Sequence, residues 1–426
     1  MRFAPRSARP FLDFARNDKW WGALIQVFTA RGRISVGEAD SFPYSYLLMS
    51  DAKLKIGLVR RGYSPSGGAE AYLKRLGRGI VNLGHEPRLF TTDDWPSNEW
   101  PFGEIVQLRA KSPIGFADEV EKQRLAGSCD VLMSLERIWR CDLYRAGDGL
   151  HQAWLNRRQK FEGPWKRFVR SFQHKHRDLL RLEESLFGER RAERVIVNSK
   201  MVKEEIFDLY SYRPDHVDIV RNGIPFNDFQ FSAEVRRKSR LRLDLSPDDL
   251  GVLFLGTGWE RKGLCYAINA IESIPNPKLR LLVVGRGNLK RYRSPRAQFL
   301  GEVADPLPFY AAADIFILPT IYDPFSNACL EAMACGLPVI TTRANGFSEI
   351  MEDRIHGSIV DVPENVSDLA NAIEVWSDQT MRAAARPSIT KRAAQFDITK
   401  NVEQTVAILL QTAASAASTS GKIRKT

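Results

Sequence analysis

The chain has 426 residues, enough for two domains of ordinary size. Its 44% hydrophobic and 27% charged residues are a globular composition, which excludes disordered, collagenous and coiled-coil chains. Lys and Arg outnumber Asp and Glu by 62 to 51, so an anionic partner is expected: nucleic acid, acidic lipid or a phosphorylated substrate.

The first 48 residues mix arginines with Pro, Phe and Trp and keep no sustained period. Their apolar stretch near Trp20–Phe28 is about half a membrane span. It is broken by Gln26 and no A-x-A site follows, so a secretory signal fits poorly. Residues 1–48 therefore read as a non-native extension or a disordered arm, and Met49 as the start of an α/β protein. Strands are predicted at Lys55–Val59, Pro87–Thr91, Ile105–Leu108, Val131–Leu135, Val195–Asn198 and Val217–Val220. A helix is expected from about Ala69 to Leu83, closed by Gly84. A second series of strands follows at Gly251–Gly256, Leu281–Gly285, Gln298–Leu300, Ile315–Leu318 and Leu337–Thr341. Helices at Gly263–Ile274, Pro306–Ala313 and Asn327–Cys335 separate these runs.

Short buried strands alternating with helices predict parallel sheets covered on both faces. The polar stretch Pro225–Asp249 divides two such series. The expected organisation is a first α/β domain over 49–225, a second over 226–395, a crossover helix over 396–412 and a disordered tail over 413–426. The last helix carries a one-faced stripe of Ile398, Val402, Val406 and Leu409.

Five cysteines form no CxxC pair and sit beside predicted core segments, the pattern of buried thiols in a reducing compartment. The six histidines are scattered, with only His174 and His176 close together, so no zinc pattern arises.

Ser66-Gly67-Gly68-Ala69-Glu70 lies between the first strand and its helix, where glycines let backbone N–H groups approach a phosphate. It is neither GxGxxG nor a Walker loop, and a plain tight turn remains open. Gly256-Thr-Gly-Trp-Glu-Arg261-Lys262-Gly263 places two adjacent cations at a predicted helix start. The helix dipole disfavours them there unless an anion is present; a solvated loop pair is the alternative. The sharpest signal is Tyr322-Asp323-Pro-Phe325-Ser326-Asn327-Ala-Cys-Leu-Glu331-Ala-Met-Ala-Cys-Gly-Leu-Pro338. Phe325, Ser326 and Asn327 would offer free N–H groups at a helix N-terminus. Glu331 in so apolar a helix is costly unless paired, with sugar hydroxyls or with a buried cation.

That acid-x7-Glu motif, with Glu-Ala-Met-Ala-x-Gly-x-Pro-Val-Ile, resembles the retaining glycosyltransferases of family 4, which have the GT-B fold. Gly67-Gly68, Val197-Asn198-Ser199, Asn222-Gly223-Ile224, Gly285-Arg286-Gly287 and Tyr310-Ala-Ala-Ala-Asp314 fit the same pattern, from about Lys55 to Leu410. The first acid, usually Glu, is here Asp323. The resemblance implies two Rossmann-like domains facing across a cleft, with the C-terminal helix crossing back. It implies that Glu331 binds the nucleotide ribose and that Asp323 with Phe325–Asn327 holds the donor sugar. Arg261 and Lys262 would neutralise the diphosphate, Gly67, Gly68 and Gly256 would lie against the donor, and residues around Gly285 would flank the base. No metal and no cofactor beyond a UDP-glucose-type donor is implied. Within the family, Tyr144–Trp154 is similar to a segment of the glucosyltransferases acting on lipopolysaccharide inner-core heptose. Asp148 would then touch donor or acceptor, unless it caps a helix.

Between Arg157 and Arg177 stand eight Lys or Arg, one acid and several aromatics. Trp165, Phe168 and Phe172 share one helix face, and Arg167, Arg170 and Lys175 lie among them. That pattern suits an anionic membrane surface. Base stacking is the rival, but no RNA module accompanies it, so no nucleic-acid partner is expected. Packing of the aromatic face on its own domain also stays open. The combined expectation is a cytoplasmic enzyme peripheral on the inner face of the cell membrane, moving a hexose from a nucleotide sugar to a glycolipid acceptor. Another hexosyl or heptosyl transfer is the enzymatic alternative, and a non-catalytic nucleotide-sugar or nucleic-acid binder the alternative of another class.

Overall fold

The computed structural model describes residues 53–64, 68–161 and 174–423. The leader 1–48 lies outside them, as do Gly67, Trp165, Arg167, Phe168, Arg170 and Phe172. Lys175 falls in the first turn of helix His174–Phe187.

Short aliphatic runs, too short for helices, become parallel strands, the inner ones buried on both faces. In the first lobe these are β1 (Lys55–Val59), β2 (Glu86–Thr92), β3 (Ile105–Leu108), β4 (Val131–Ser134), β5 (Cys141–Arg145), β6 (Ala192–Val197) and β7 (Val217–Ile219). They form one parallel sheet in the order β3-β2-β1-β4-β5-β6-β7. The second lobe repeats the pattern with β8 (Leu250–Leu255), β9 (Leu279–Val284), β10 (Ala297–Gly301), β11 (Ile315–Leu318), β12 (Val339–Thr342) and β13 (Gly357–Val360). Its order is β10-β9-β8-β11-β12-β13, again all parallel. Each sheet reverses direction beside its first strand, and ligands of such sheets sit outside the carboxyl ends at that switch.

Two strands escape the sequence pattern. Asp142 interrupts the apolar run of β5, yet its carboxylate accepts the Leu132 N–H of the neighbouring strand at 2.7 Å. β13 opens on Gly357-Ser358, which carry little strand propensity, and it pairs along the whole of β12.

The core of the second lobe gathers Val252–Phe254, Ile315–Leu318, Leu330 and Trp376, all essentially solvent-free. Each such side chain contributes on the order of 1.5–3 kcal/mol of transfer free energy. The C-terminal helix runs Ile398–Ile423 and crosses back onto the first lobe. Val402, Val406 and Leu409 join Leu73, Leu76 and Ile80 in one buried cluster. The Tyr72 hydroxyl meets Thr405 Oγ1 at 3.0 Å, and a side chain on Gly79 would press on Val402. The tail expected to be disordered from residue 413 instead continues this helix to Ile423, because its Ala-Ala-Ser-Ala-Ala run has good helix propensity and Ala413 is buried. Among the described residues no helix is long and apolar enough to cross a membrane.

Candidate functional site

After β11 the chain turns through Pro319–Ser326 before entering helix Asn327–Ala334. Asp323 sits in this loop, buried, at the carboxyl end of the second sheet. Its carboxylate accepts from Lys262 Nζ, and Arg261 Nη1 lies 3.9 Å away. Burial opposes the charge, but Lys262 and Arg261, aided by the Phe325 N–H, outweigh it and hold the Asp323 carboxyl below its ordinary value.

Lys262 and Arg261 do not stand at a helix start as expected. They close a one-turn helix, Trp259–Lys262, at the end where the dipole favours cations. Gly263 then breaks the chain direction at φ 79° before the next helix, Leu264–Ser273. Only glycine fits, since a Cβ there would come 1.8 Å from the Pro319 carbonyl oxygen. That close approach brings the cations to the Asp323 loop: Arg261 Nη1 donates to the Tyr322 carbonyl at 3.0 Å, and the Arg261 carbonyl accepts from the Ile321 N–H at 3.0 Å. Behind them Gly256 and Gly285 pack together, for a Cβ on Gly285 would meet the Gly256 carbonyl at 2.2 Å.

Glu331 lies half-buried on helix Asn327–Ala334. It is met by a neutral group: the Tyr310 hydroxyl donates to Oε2 at 2.8 Å. Among the described residues no cation lies within salt-bridge distance of it. The buried ion pair that the sequence left open is thereby overturned. Burial raises its carboxyl above the ordinary value, and the Tyr310 hydrogen bond only partly offsets that.

The amides ahead of this helix are less free than expected. The Phe325 N–H is taken by Asp323, and the Ser326 N–H points to Asn345 Oδ1 at 3.3 Å. The Ser326 hydroxyl is buried beside the Cys329 thiol. Asn327 reaches across the cleft: its side-chain oxygen accepts from Asn222 Nδ2 at 2.9 Å, and Asn222 accepts in turn from Arg145 at 3.1 Å. In the first lobe, Gly68 opens helix Gly68–Asn82, and among the described residues no atom stands within 4 Å of where its Cβ would lie. Glu70, two residues on, is held by Arg60, which also binds Glu136.

Asp148 is exposed in the turn after β5 and shows no hydrogen bond or ion pair to the described residues. It does not cap helix His151–Gln159. Glu183 does so from another helix, accepting the His151 and Gln152 N–H groups at 2.6 and 2.9 Å. Nothing in the sequence pointed to Glu183, because the pairing spans about thirty residues and leaves no periodic trace. The neighbour of Asp148, Gly149, abuts Tyr322 and Pro324. Between the lobes lies a cavity of about 380 Å³, walled by Trp154 and Arg158 on one side and by Gly258, Trp259, Arg261 and Tyr292 on the other. A larger one, about 470 Å³, lies near Lys53, His85 and Phe102 at the opposite end of the first sheet and away from this chemistry. Among the described residues no three His, Cys, Asp or Glu side chains are grouped to hold a metal.

Residues 66–228 match the model described as Glycosyltransferase Family 4, and residues 249–378 match Glycosyl transferases group 1. Both lobes are glycosyltransferase domains. This glycosyltransferase is 27% identical over 363 residues to the uncharacterized glycosyltransferase MJ1607 of Methanocaldococcus jannaschii, covering 77% of this chain and 90% of that one. It is 31% identical over 196 residues to the lipopolysaccharide core biosynthesis glycosyltransferase LpsE of Rhizobium meliloti, covering 44% of this chain and 55% of that one. Among solved structures it superposes on WaaG, a glycosyltransferase involved in lipopolysaccharide biosynthesis, with TM-score 0.71 and 20% identity over 83% of this chain and 99% of WaaG. Anabaena HepE in complex with UDP and glucose gives TM-score 0.66 at 20% identity, over 84% and 99% of the two chains. The two doubly wound lobes are thus of GT-B type.

Proposed function

We propose that this glycosyltransferase is a retaining hexosyltransferase that moves glucose from UDP-glucose to a membrane-associated glycolipid such as lipopolysaccharide core heptose. The observation that carries the reading is the pairing of Lys262 and Arg261 with buried Asp323, next to a Glu331 whose partner is a neutral hydroxyl. Two preorganised cations suit the diphosphate, whose negative charge grows as the glycosidic C–O bond breaks. Asp323, kept ionised between them, would accept from sugar hydroxyls. Glu331 would accept from the ribose hydroxyls and so recover the hydration it lost on burial. The acceptor oxygen would bond to the anomeric carbon on the face the phosphate leaves, and its proton would pass to the leaving phosphate oxygen. No metal ion is invoked. The similarity to LpsE, and the UDP and glucose held by HepE, favour this donor and acceptor class.

Purified protein mixed with a panel of nucleotide sugars should release UDP from UDP-glucose faster than from other donors, with an added heptose-containing acceptor raising the rate. Release from none of them would end the reading.

The membrane face of the proposal rests on the basic, aromatic stretch from Arg157 to Arg177. Each cation engaged near an anionic surface contributes about 1 kcal/mol. The protein should therefore sediment with phosphatidylserine-type vesicles at low salt and less as salt rises. Replacing Arg167, Arg170 and Lys175 together by Glu should abolish sedimentation with the melting temperature unchanged. Binding to RNA in preference to vesicles would reverse the assignment.

A further inference from the structure

Tyr322 directly precedes Asp323 in the second lobe, yet its ring is buried in the first. Among the described residues it is the one second-lobe side chain in the cluster formed by Tyr144, Leu150, Ala153, Val202 and their neighbours. Its hydroxyl accepts the Leu150 N–H at 3.2 Å and donates to Glu205 Oε2 at 2.9 Å. The Trp154 ring stacks near it with centroids 6.3 Å apart and planes 22° from parallel. The Arg157 guanidinium lies 5.3 Å from its centroid while donating to Glu205 at 2.9 Å. The hydroxyl thus ties two elements to one loop: the start of helix His151–Gln159, and the middle of helix Lys200–Tyr210, where Glu205 stands.

Gly149 gives an independent sign that this seat is a specific fit. It adopts φ 67°, and a Cβ there would stand 2.3 Å from the Tyr322 hydroxyl oxygen and 2.7 Å from Pro324. On the opposite side, the main chain of Tyr322 belongs to the site, since its carbonyl accepts from Arg261 at 3.0 Å and its N–H donates to Thr320 at 3.3 Å. One residue therefore grips the first lobe with its side chain and the Asp323–Arg261 cluster with its backbone.

We propose that Tyr322 is a positioning residue: its hydroxyl clasps the two lobes, so that Asp323 and Arg261 are held in register with the first-lobe wall of the cleft. The idea rests on the transfer reading above for its kinetic consequence, but not for the clasp itself. Burial raises the Glu205 carboxyl, and Arg157 and the Tyr322 hydroxyl offset it, which fits a carboxylate that needs this donor.

Tyr322→Phe keeps the ring and removes only the hydroxyl. Hydrogen exchange of the unliganded protein should show faster exchange at Leu150 and along His151–Trp154, with the rest of the first lobe protected as before. UDP affinity by calorimetry should stay within a fewfold of wild type, because the proposed nucleotide contacts lie in the second lobe. The kcat for transfer from UDP-glucose should fall about tenfold or more, the scale of a lost buried hydrogen bond. Glu205→Gln, which still accepts from the hydroxyl, should lose less than Glu205→Ala, and this pair decides the matter if Tyr322→Phe fails to fold. Gly149→Ala should reproduce the Tyr322→Phe phenotype by wedging the seat. Wild-type exchange and kcat in Tyr322→Phe would overturn the clasp, as would a loss of UDP affinity in proportion to kcat. If the wild type transfers from no nucleotide sugar, the donor reading falls, and the exchange comparison still decides the clasp.

Discussion

Asp323→Ala should lower kcat for sugar transfer about a hundred- to a thousandfold, the loss that follows removal of one preorganised polar group at a reacting centre. UDP affinity should hold or tighten. Lys262 and Arg261 lie against the Asp323 carboxylate, and without it both turn wholly to the diphosphate. Lys262→Ala should behave oppositely, weakening UDP and lowering kcat together, because it removes a phosphate partner and leaves the buried carboxylate with Arg261, 3.9 Å away, as its remaining cation. Kinetics beside calorimetry of UDP binding separates these patterns. The stability consequence has a definite sign. The folded Asp323 carboxyl lies below its unfolded value of 3.8, so its contribution is present above that pH and is lost as pH falls through the folded value. The melting advantage of wild type over Asp323→Ala should therefore shrink below about pH 4. An Asp323→Ala protein with near-normal kcat would remove Asp323 from the chemistry.

Glu331→Gln should reduce transfer efficiency about ten- to hundredfold, since a charge-assisted hydrogen bond to a ribose hydroxyl contributes about 1.5–3 kcal/mol. Gln keeps the shape and an acceptor for Tyr310, whose hydroxyl bonds Oε2 at 2.8 Å. Unliganded stability should hold or rise at neutral pH. The folded Glu331 carboxyl lies above its ordinary value of 4.5, chiefly through burial, so its ionisation opposes folding. That penalty is absent below 4.5 and grows as pH rises through the window up to the folded value. Melts of the two proteins should accordingly coincide at acid pH and separate in favour of Glu331→Gln as pH rises, in the absence of UDP. Near-normal UDP affinity in a strongly destabilised Glu331→Gln would assign the residue to the core instead of the nucleotide.

Much of the frame was legible because its causes are local. Lys55–Val59, Ile105–Leu108 and Ile315–Leu318 are strands at the predicted residues, each a largely aliphatic run too short for a buried helix. The stripe Val402, Val406 and Leu409 marked a helix needing a partner, and it found one on the first lobe. The failures have equally physical origins. β5 was hidden because Asp142 breaks its apolar run, and only a neighbouring strand shows why a carboxylate is tolerated there. The sequence pattern puts Arg261 and Lys262 at a helix start, where the dipole disfavours them, whereas the left-handed turn at Gly263 puts them at a helix end.

The sequence by itself determined the two parallel-sheet lobes, the Asp323 and Glu331 spacing, and the adjacent cations, since each is written in a contiguous stretch whose pattern or propensity acts within a few residues. Only the tertiary structure decided what those groups face. Lys262 and Asp323 meet across 61 positions, Tyr322 and Leu150 across 172, and Asn222 and Asn327 across 105. Such pairings depend on where the sheets carry the ends of their strands and on how one lobe seats a ring from the other, and contacts made through closed loops of that length leave no period along the chain.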